Sequence, residues 1–590
     1  MQGHLRQVIS CIINRDFSDN TLQCAWVPLR GPTITGDPSP MTRHVSNASS
    51  PWLDWHGLGG WNIYFLAKFA LLWAGYLNFH PLINLVFAAF LIFPLPRAGL
   101  RRIRHWLALP VGVGIFYHDT WLPGMESIRA QGAQVFSFTL DYWLELLGRF
   151  INWEMVGAGF VMLTLYLFIA QWLRFTPWIL LALLWLWLSP LVGDPFASQA
   201  TQVVSTDKGR EPAAEPEDKQ VSMAEQLDQS APPTNQNLNA YLDSFYAQER
   251  DRVVDFPQQL PADAAPFDVL IINICSLAWS DVTASDLMAH PIGRHLDLMF
   301  KHFNSATSYS GPSSIRLLRA SCGQTSHQGL YTTAPSQCLL FDNLAQLGFE
   351  KQVAMDHSGA FGNYLKDLQQ YASLDVPLMS KEGMPHDLAS FDGEPIYRDD
   401  ALFARWLSER QKSKAERNVT FFNLIALHDG NRYAATRQIA PYKARLQTLL
   451  DQLDQFLTSL EQSGRKVAVI LVPEHGAAIA GDKMQMAGLR DIPSPSITQV
   501  PVGVALIGAK GGHEATKAID TPSSFLAISE LVSRLVGGNT FGSATIDWDG
   551  LLKGLPETPA VSENQGSVVL EYQGKYHIKL GEGDWVPYPL

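Results

Sequence analysis

The sequence predicts two units in one chain, an N-terminal α-helical transmembrane bundle of about five spans and a C-terminal α/β domain. Three observations predict them. Nearly all the long apolar stretches fall within residues 61–193. A polar, aromatic-poor segment follows, and beyond about residue 239 short apolar runs alternate with amphipathic helical patterns. A chain of 590 residues is also too long for one ordinary domain.

The apolar stretches divide into spans at roughly 61–77, 79–96, 105–118, 151–173 and 176–193. Crossing a bilayer takes about 20 apolar residues, which the last two supply. The third is short and contains Pro110, so a buried or re-entrant segment is its alternative. Basic loops set the orientation. Arg97, Arg101, Arg102 and Arg104 mark one cytoplasmic loop and Arg174 marks another. The loop 119–149 carries Asp119, Glu126, Asp141 and Glu145 against Arg129 and Arg149, and faces outward. With the N-terminus inside, five spans put everything after residue 193 outside. Lys68 and Glu154 lie in or beside apolar runs. Such charges mark a lipid headgroup site or snorkel to the interface. Residues 1–55 carry no secretory pattern and are expected to be a cytoplasmic extension, or a product of start choice, since Met41 would begin a more compact chain.

Residues 194–238 are rich in Gln, Ala, Pro, Glu, Asp, Ser and Thr. They cannot bury enough apolar surface to offset their ordering entropy and are expected to form a flexible linker. The outer domain, 239–590, begins with Leu238, Tyr241, Leu242 and Phe245 at helical spacing. Four near-continuous apolar runs follow: Phe267–Cys275, Thr420–His428, Lys466–Pro473 and Val500–Gly508. Runs apolar on both faces are what buried parallel strands require. An amphipathic helix over 440–463, ended by Gly464, separates two of them, and another helix spans about 522–535. This alternation predicts a doubly wound fold with a parallel core, and residues 566–581 add a hairpin.

Cys275, His428, Glu474 and His475 each fall at the carboxyl end of a predicted strand, the edge at which open α/β sheets bind ligands. Thiolate, carboxylate and imidazole make a zinc set with one position left open, and the thiolate disfavours magnesium or manganese. Adjacent strand residues face opposite ways, so Glu474 and His475 reach one ion only if the chain turns, which Gly476 permits. Tyr309-Ser310-Gly311-Pro312 precedes a short helical stretch, with Pro312 suited to its first position. Ser310 then sits at a helix N-terminus, where a phosphate is favoured. A serine there more often only caps the helix. A nearby zinc would make it a nucleophile by lowering the hydroxyl pKa.

Several stretches resemble the cellulose phosphoethanolamine transferases, membrane-anchored members of the alkaline phosphatase superfamily. They are GGWNIYFLAKFALLWAGYLNFHPL, NICSLAWSD, FNSATSYSGPSSIRLLRASCGQTSH, LHDGN, VPEHG, GLRDIPSPSITQVPVGV and GDWVPYP, spread from about Trp52 to the C-terminus. The resemblance implies an alkaline phosphatase/sulfatase-like domain in the periplasm, anchored in a bacterial inner membrane. It implies Ser310 as nucleophile and, with Cys275, Glu474 and His475, as a ligand of Zn2+. His428, Tyr309 and Arg490 are implied as substrate or transition-state contacts, and Cys322–Cys338 as a disulfide. The implied partners are phosphatidylethanolamine as donor, cellulose as acceptor at the glucose C6 hydroxyl, and subunits of a cellulose synthase complex. Cys11 and Cys24 are expected to be reduced.

Other readings are weighed beside this one. Lipid A phosphoethanolamine transferases share the layout but use a threonine nucleophile and a glutamate where Cys275 stands. Sulfatases require an arginine where Ser314 stands. A non-catalytic scaffold of a cellulose synthase complex, or transfer to another envelope glycan, are the remaining alternatives. A net charge of -12 argues against nucleic acid as a partner.

Overall fold

The computed structural model describes residues 57–95, 97–120, 139–140, 142–143, 148, 153–192, 229–511 and 515–589. The expected extension 1–55, with Cys11 and Cys24, and nearly all of the expected linker lie outside them.

Five helices stand where the spans are expected: α1 Trp61–Trp73, α2 Pro81–Ile92, α3 Ala98–His118, α4 Trp153–Ile169 and α5 Phe175–Val192. Among the described residues no helix is long and apolar enough to cross a membrane. Most are too short, and the longest, α3, carries Arg101, Arg102 and Arg104 in its first turns. Pro110 lies inside α3, which runs on through it as one helix. The helices pack through Phe65, Phe87, Leu91 and Leu183, and expose Trp73, Val86, Trp106, Phe160 and Trp185. Lys68 neither snorkels nor faces a lipid. It is fully buried, with Nζ 2.5 Å from Asp119 Oδ2 and 2.7 Å from Asn84 Oδ1. A buried ammonium is tolerated only with such partners.

Helix α6, Asn235–Asp251, opens the second unit, with the Thr234 side chain capping it. The strands that follow are β1 Asp268–Ile274, β2 Leu298–Asn304, β3 Phe349–Met355, β4 His386–Ala389, β5 Pro395–Tyr397, β6 Arg417–Leu424, β7 Arg432–Tyr433, β8 Val467–Pro473, β9 Gln499–Ile507, β10 Lys517–Ile519, β11 Val561–Asn564, β12 Ser567–Tyr572, β13 Lys575–Leu580 and β14 Val586–Pro587. The main sheet has the order β10-β2-β9-β8-β1-β6-β3. Strands β8, β1, β6 and β3 are mutually parallel, as expected, but β9 runs antiparallel to both β8 and β2. The core is therefore mixed, because the chain returns from β8 to β9 without a crossover helix.

The longest helices that cover the sheet are α7 Ser310–Leu318, α8 Tyr364–Ala372, α9 Asp399–Lys412, α10 Tyr442–Gln462 and α11 Phe525–Gly537. Side chains alternate along each strand. Val269 and Ile271 face α7, α8 and α11, while Leu270 and Ile272 face α9 and α10. Gly464, with φ +69°, follows the end of α10 and provides the left-handed turn that other residues adopt at a cost. The expected C-terminal hairpin is part of a four-stranded antiparallel sheet, β11–β14. Leu238, Tyr241 and Phe245 of α6 pack on its Leu570 and Tyr572.

Candidate active site

The central strands carry the site at their carboxyl ends. Ile274 of β1 lies opposite Pro473 of β8 in parallel register, so Cys275 and Glu474 leave the sheet side by side. The Cys275 N–H is still held by Leu424 O and that of Glu474 by Ile274 O, each at 2.9 Å. Beyond the strand the chain turns sharply. Ser276 and Ala478 have φ of +63° and +54°. Gly476 serves close packing rather than a left-handed turn, since a Cβ there would lie 2.7 Å from Ala278 Cβ and 2.8 Å from Asp281 Oδ2. Adjacent Glu474 and His475 nevertheless present their donor atoms to one point.

Cys275, Glu474 and His475 offer donor atoms that all lie within 4.8 Å of one another, and all three residues are buried. Ser310 joins them from the first turn of α7, with Oγ 3.4 Å from Cys275 Sγ and 3.2 Å from His475 Nε2. The helix opens at Ser310, after an extended Tyr309, so Pro312 takes the third helical position and not the first. The His475 Nδ1–H donates to Gly476 O at 2.9 Å, which leaves the Nε2 lone pair on the side of Ser310.

One carboxylate oxygen is heavily bonded and the other is not. Glu474 Oε1 accepts from Asn423 Nδ2 at 2.6 Å, and the hydroxyls of Ser314 and Tyr364 lie 3.1 and 3.3 Å away. Glu474 Oε2 is buried and makes no hydrogen bond, with His475 Nε2 3.9 Å away. A buried carboxylate oxygen left so is costly, and a cation is the partner it fits. Burial, with the Glu474 carboxylate, pushes the Cys275 thiol up to about 12. Burial, then Arg490, holds the His475 imidazole well below its ordinary value. A dication would favour thiolate and neutral imidazole together. The residues fit zinc, in chemistry and in their open fourth side.

Arg490 extends over this group, with Nη1 3.1 Å from His475 Nδ1 and 3.3 Å from Ser276 Oγ. Tyr309 turns its hydroxyl to Asp491 Oδ1 at 2.8 Å, so it ties the Arg490 loop to the head of α7. His428 lies four residues beyond the end of β6, in a turn, and is not a member of the metal-type cluster. Its Nδ1–H donates to Asp429 O at 2.8 Å, and its ring packs on Phe391 with centroids 4.9 Å apart. Cys322 and Cys338 are disulfide-bonded, and Cys275 is a free, buried cysteine.

The sequence reading overlooked Asn273, Ser314, Tyr364 and Asn423. The asparagines left a visible signal: each is a polar residue within an apolar run, and the two pair in register across β1 and β6. Ser314 and Tyr364 come from helices and leave none.

Two family models cover most of the chain. The cellulose biosynthesis protein BcsG C-terminal domain matches residues 222–585, and the BcsG N-terminal domain matches residues 61–188. The cellulose biosynthesis protein BcsG of Salmonella typhimurium is 54% identical over 559 residues, spanning 93% of this chain and 100% of that protein. The chain belongs to the BcsG family. The Escherichia coli BcsG is 53% identical, over 93% of this chain and 99% of its own length. Among solved structures, the C-terminal periplasmic domain of EcEptC from Escherichia coli shares 11% identity at a TM-score of 0.39, over 57% of this chain and 96% of that one. A likeness that distant carries no argument about the BcsG site.

Proposed function

We propose that the chain is a zinc-dependent transferase that moves phosphoethanolamine from phosphatidylethanolamine to the glucose C6 hydroxyl of cellulose. It would do so from a bacterial inner membrane, with α1–α5 in the bilayer and the α/β domain in the periplasm. The observation that supports this most is the convergence of Ser310 Oγ on Cys275 Sγ and His475 Nε2 at the first turn of α7, beside an unpartnered Glu474 oxygen. The apolar side chains exposed on the N-terminal helices support the membrane setting, and the relatives' printed name supports the link to cellulose.

Cys275, Glu474 and His475, with Ser310, would hold the ion. When bound, zinc lowers a hydroxyl's pKa and withdraws charge from phosphoryl oxygens. Ser310 Oγ gives up its proton and attacks the phosphorus of the lipid headgroup, the bond to the diacylglycerol oxygen breaks as the new one forms, and that oxygen takes a proton from water to leave as diacylglycerol. The phosphoethanolamine-serine lies at the head of α7, where backbone N–H groups face its oxygens. Arg490 adds a planar cation to those oxygens. In the second step the acceptor hydroxyl attacks the phosphorus, and Ser310 Oγ departs. His428 Nε2, left with its lone pair by the Nδ1 bond to Asp429 O, takes the acceptor proton.

Intact-protein mass spectrometry after exposure to phosphatidylethanolamine tests the scheme. Wild type gains the mass of one phosphoethanolamine. Ser310→Ala keeps much of its zinc and gains nothing, whereas Cys275→Ala and His475→Ala lose zinc and adduct together. An adduct that persists in Ser310→Ala would mean another nucleophile.

A further inference from the structure

A short piece of the N-terminal unit touches the turn that carries His428. Residues 139–143 fall between α3 and α4, yet Tyr142 is 7% exposed because it is packed against the α/β domain. Its ring lies 5.6 Å, centroid to centroid, from that of Phe391, whose own ring packs on His428. Its hydroxyl lies 3.3 Å from Asp429 Oδ2. Thr139 supports the contact, its Oγ1 donating to Phe391 O at 3.2 Å. Gly430 completes the seat. It has φ +77°, and a Cβ there would lie 2.6 Å from Tyr142 Cε2 and 2.8 Å from Phe391 Cβ. Any larger residue would displace the tyrosine ring.

The consequence for His428 follows from the bonding. Asp429 presents its backbone oxygen to His428 Nδ1 and its carboxylate to Tyr142. Phe391 lies between the Tyr142 and His428 rings. Tyr142 thus touches both residues that hold the imidazole, Phe391 on its face and Asp429, whose carbonyl fixes its tautomer. We propose that Tyr142 is a positioning residue for the acceptor half of the reaction, acting on His428 through Phe391 and Asp429. The proposal rests on the reading of His428 as the group that takes the acceptor proton. It also assigns Gly430, the glycine of the LHDGN stretch, the task of admitting the ring. Misplacing a reacting group by about 1 Å costs up to about 10²-fold in rate, so the loss of this support is large enough to measure.

The full-length chain in phosphatidylethanolamine vesicles separates the two half-reactions. Adduct growth on Ser310 reads the first, and adduct decay after addition of cellohexaose reads the second. Tyr142→Ala is expected to form adduct within about twofold of the wild-type rate and to discharge it about tenfold more slowly. Tyr142→Phe, which keeps the ring, should recover most of the discharge rate. Equal decay in Tyr142→Ala and wild type overturns the proposal, and so does an equal fall in both half-reactions, which marks a general prop. If wild type forms no adduct, the two-step reading fails instead. The tie is then read from carbethoxylation of His428 by diethyl pyrocarbonate, followed by peptide mapping. Tyr142→Ala accelerates that modification several-fold if the ring shields the imidazole, and an unchanged rate overturns the proposal.

Discussion

Asn423 has both ends of its amide committed. Its Nδ2 donates to Glu474 Oε1 and its Oδ1 accepts from His357 Nε2 at 2.8 Å. It therefore fixes one oxygen of Glu474 and leaves the other without a hydrogen bond. Outer partners of this kind affect metal affinity by about 10–100-fold. Asn423→Ala is expected to weaken zinc binding by that order, measured by competition with a chromogenic chelator, and unchanged affinity would show that the carboxylate is oriented by other means. A pH prediction concerns His428. Burial, then the Arg490 charge, lowers its pKa from 6.5 to about 4. A lowered value keeps the imidazole neutral, and able to accept a proton, until the pH falls to that point. The rate of adduct discharge should thus stay level through the ordinary histidine range and fall only below about pH 5. An acid limb centred near the unperturbed value would deny His428 this role. Cys275, Glu474 and His475 were legible because they stand at the ends of apolar runs. The asparagines were visible but passed over, and the hydroxyls of Ser314 and Tyr364 reach Glu474 only through helix packing that no local pattern encodes.

At the scale of elements, one carboxylate anchors the lower ends of several. Asp268, at the start of β1, is 1% exposed and receives Arg410 of α9 at 2.9–3.0 Å. Arg465, before β8, donates to Asp268 Oδ2 at 2.9 Å, and the Asn418 N–H of β6 donates to Oδ1 at 3.0 Å. Asp268→Ala strands a buried guanidinium and should cost about 3–5 kcal/mol. A shift in the urea midpoint at unchanged slope measures it, and a loss under about 1 kcal/mol would make the cluster incidental. Strands β1, β6 and β8 were legible because both faces are covered. Strands β2 and β3 were not read from the sequence, since Lys301, His302, Glu350 and Lys351 break their apolar runs. Both lie toward the margins of the sheet, where one face meets less cover. The β9 run was read as a strand, but its direction was not readable, because direction depends on the path between strands and not on their composition.

For the whole molecule, the basic loops and the Tyr142 contact make a joint demand. Thr139, Tyr142 and the α/β domain must lie on one side of any membrane, because they touch. A periplasm-reporting alkaline phosphatase fused after residue 200 should be active and a cytoplasm-reporting β-galactosidase silent. The reverse pattern would reject the orientation. The spacing of the cysteines has a further consequence, for the order in which the chain is made. Cys275 precedes His475 by 200 residues, while Cys322 and Cys338 follow Cys275 much sooner. Under the proposed export, three thiols reach an oxidising compartment before Glu474 and His475, just beyond β8, have arrived. In that interval Cys275 is not yet set apart from the two cysteines that pair with each other. Docking of β8 ends the ambiguity by burying the Cys275 sulfur, so correct pairing depends on the timing of secretion as well as on the final geometry.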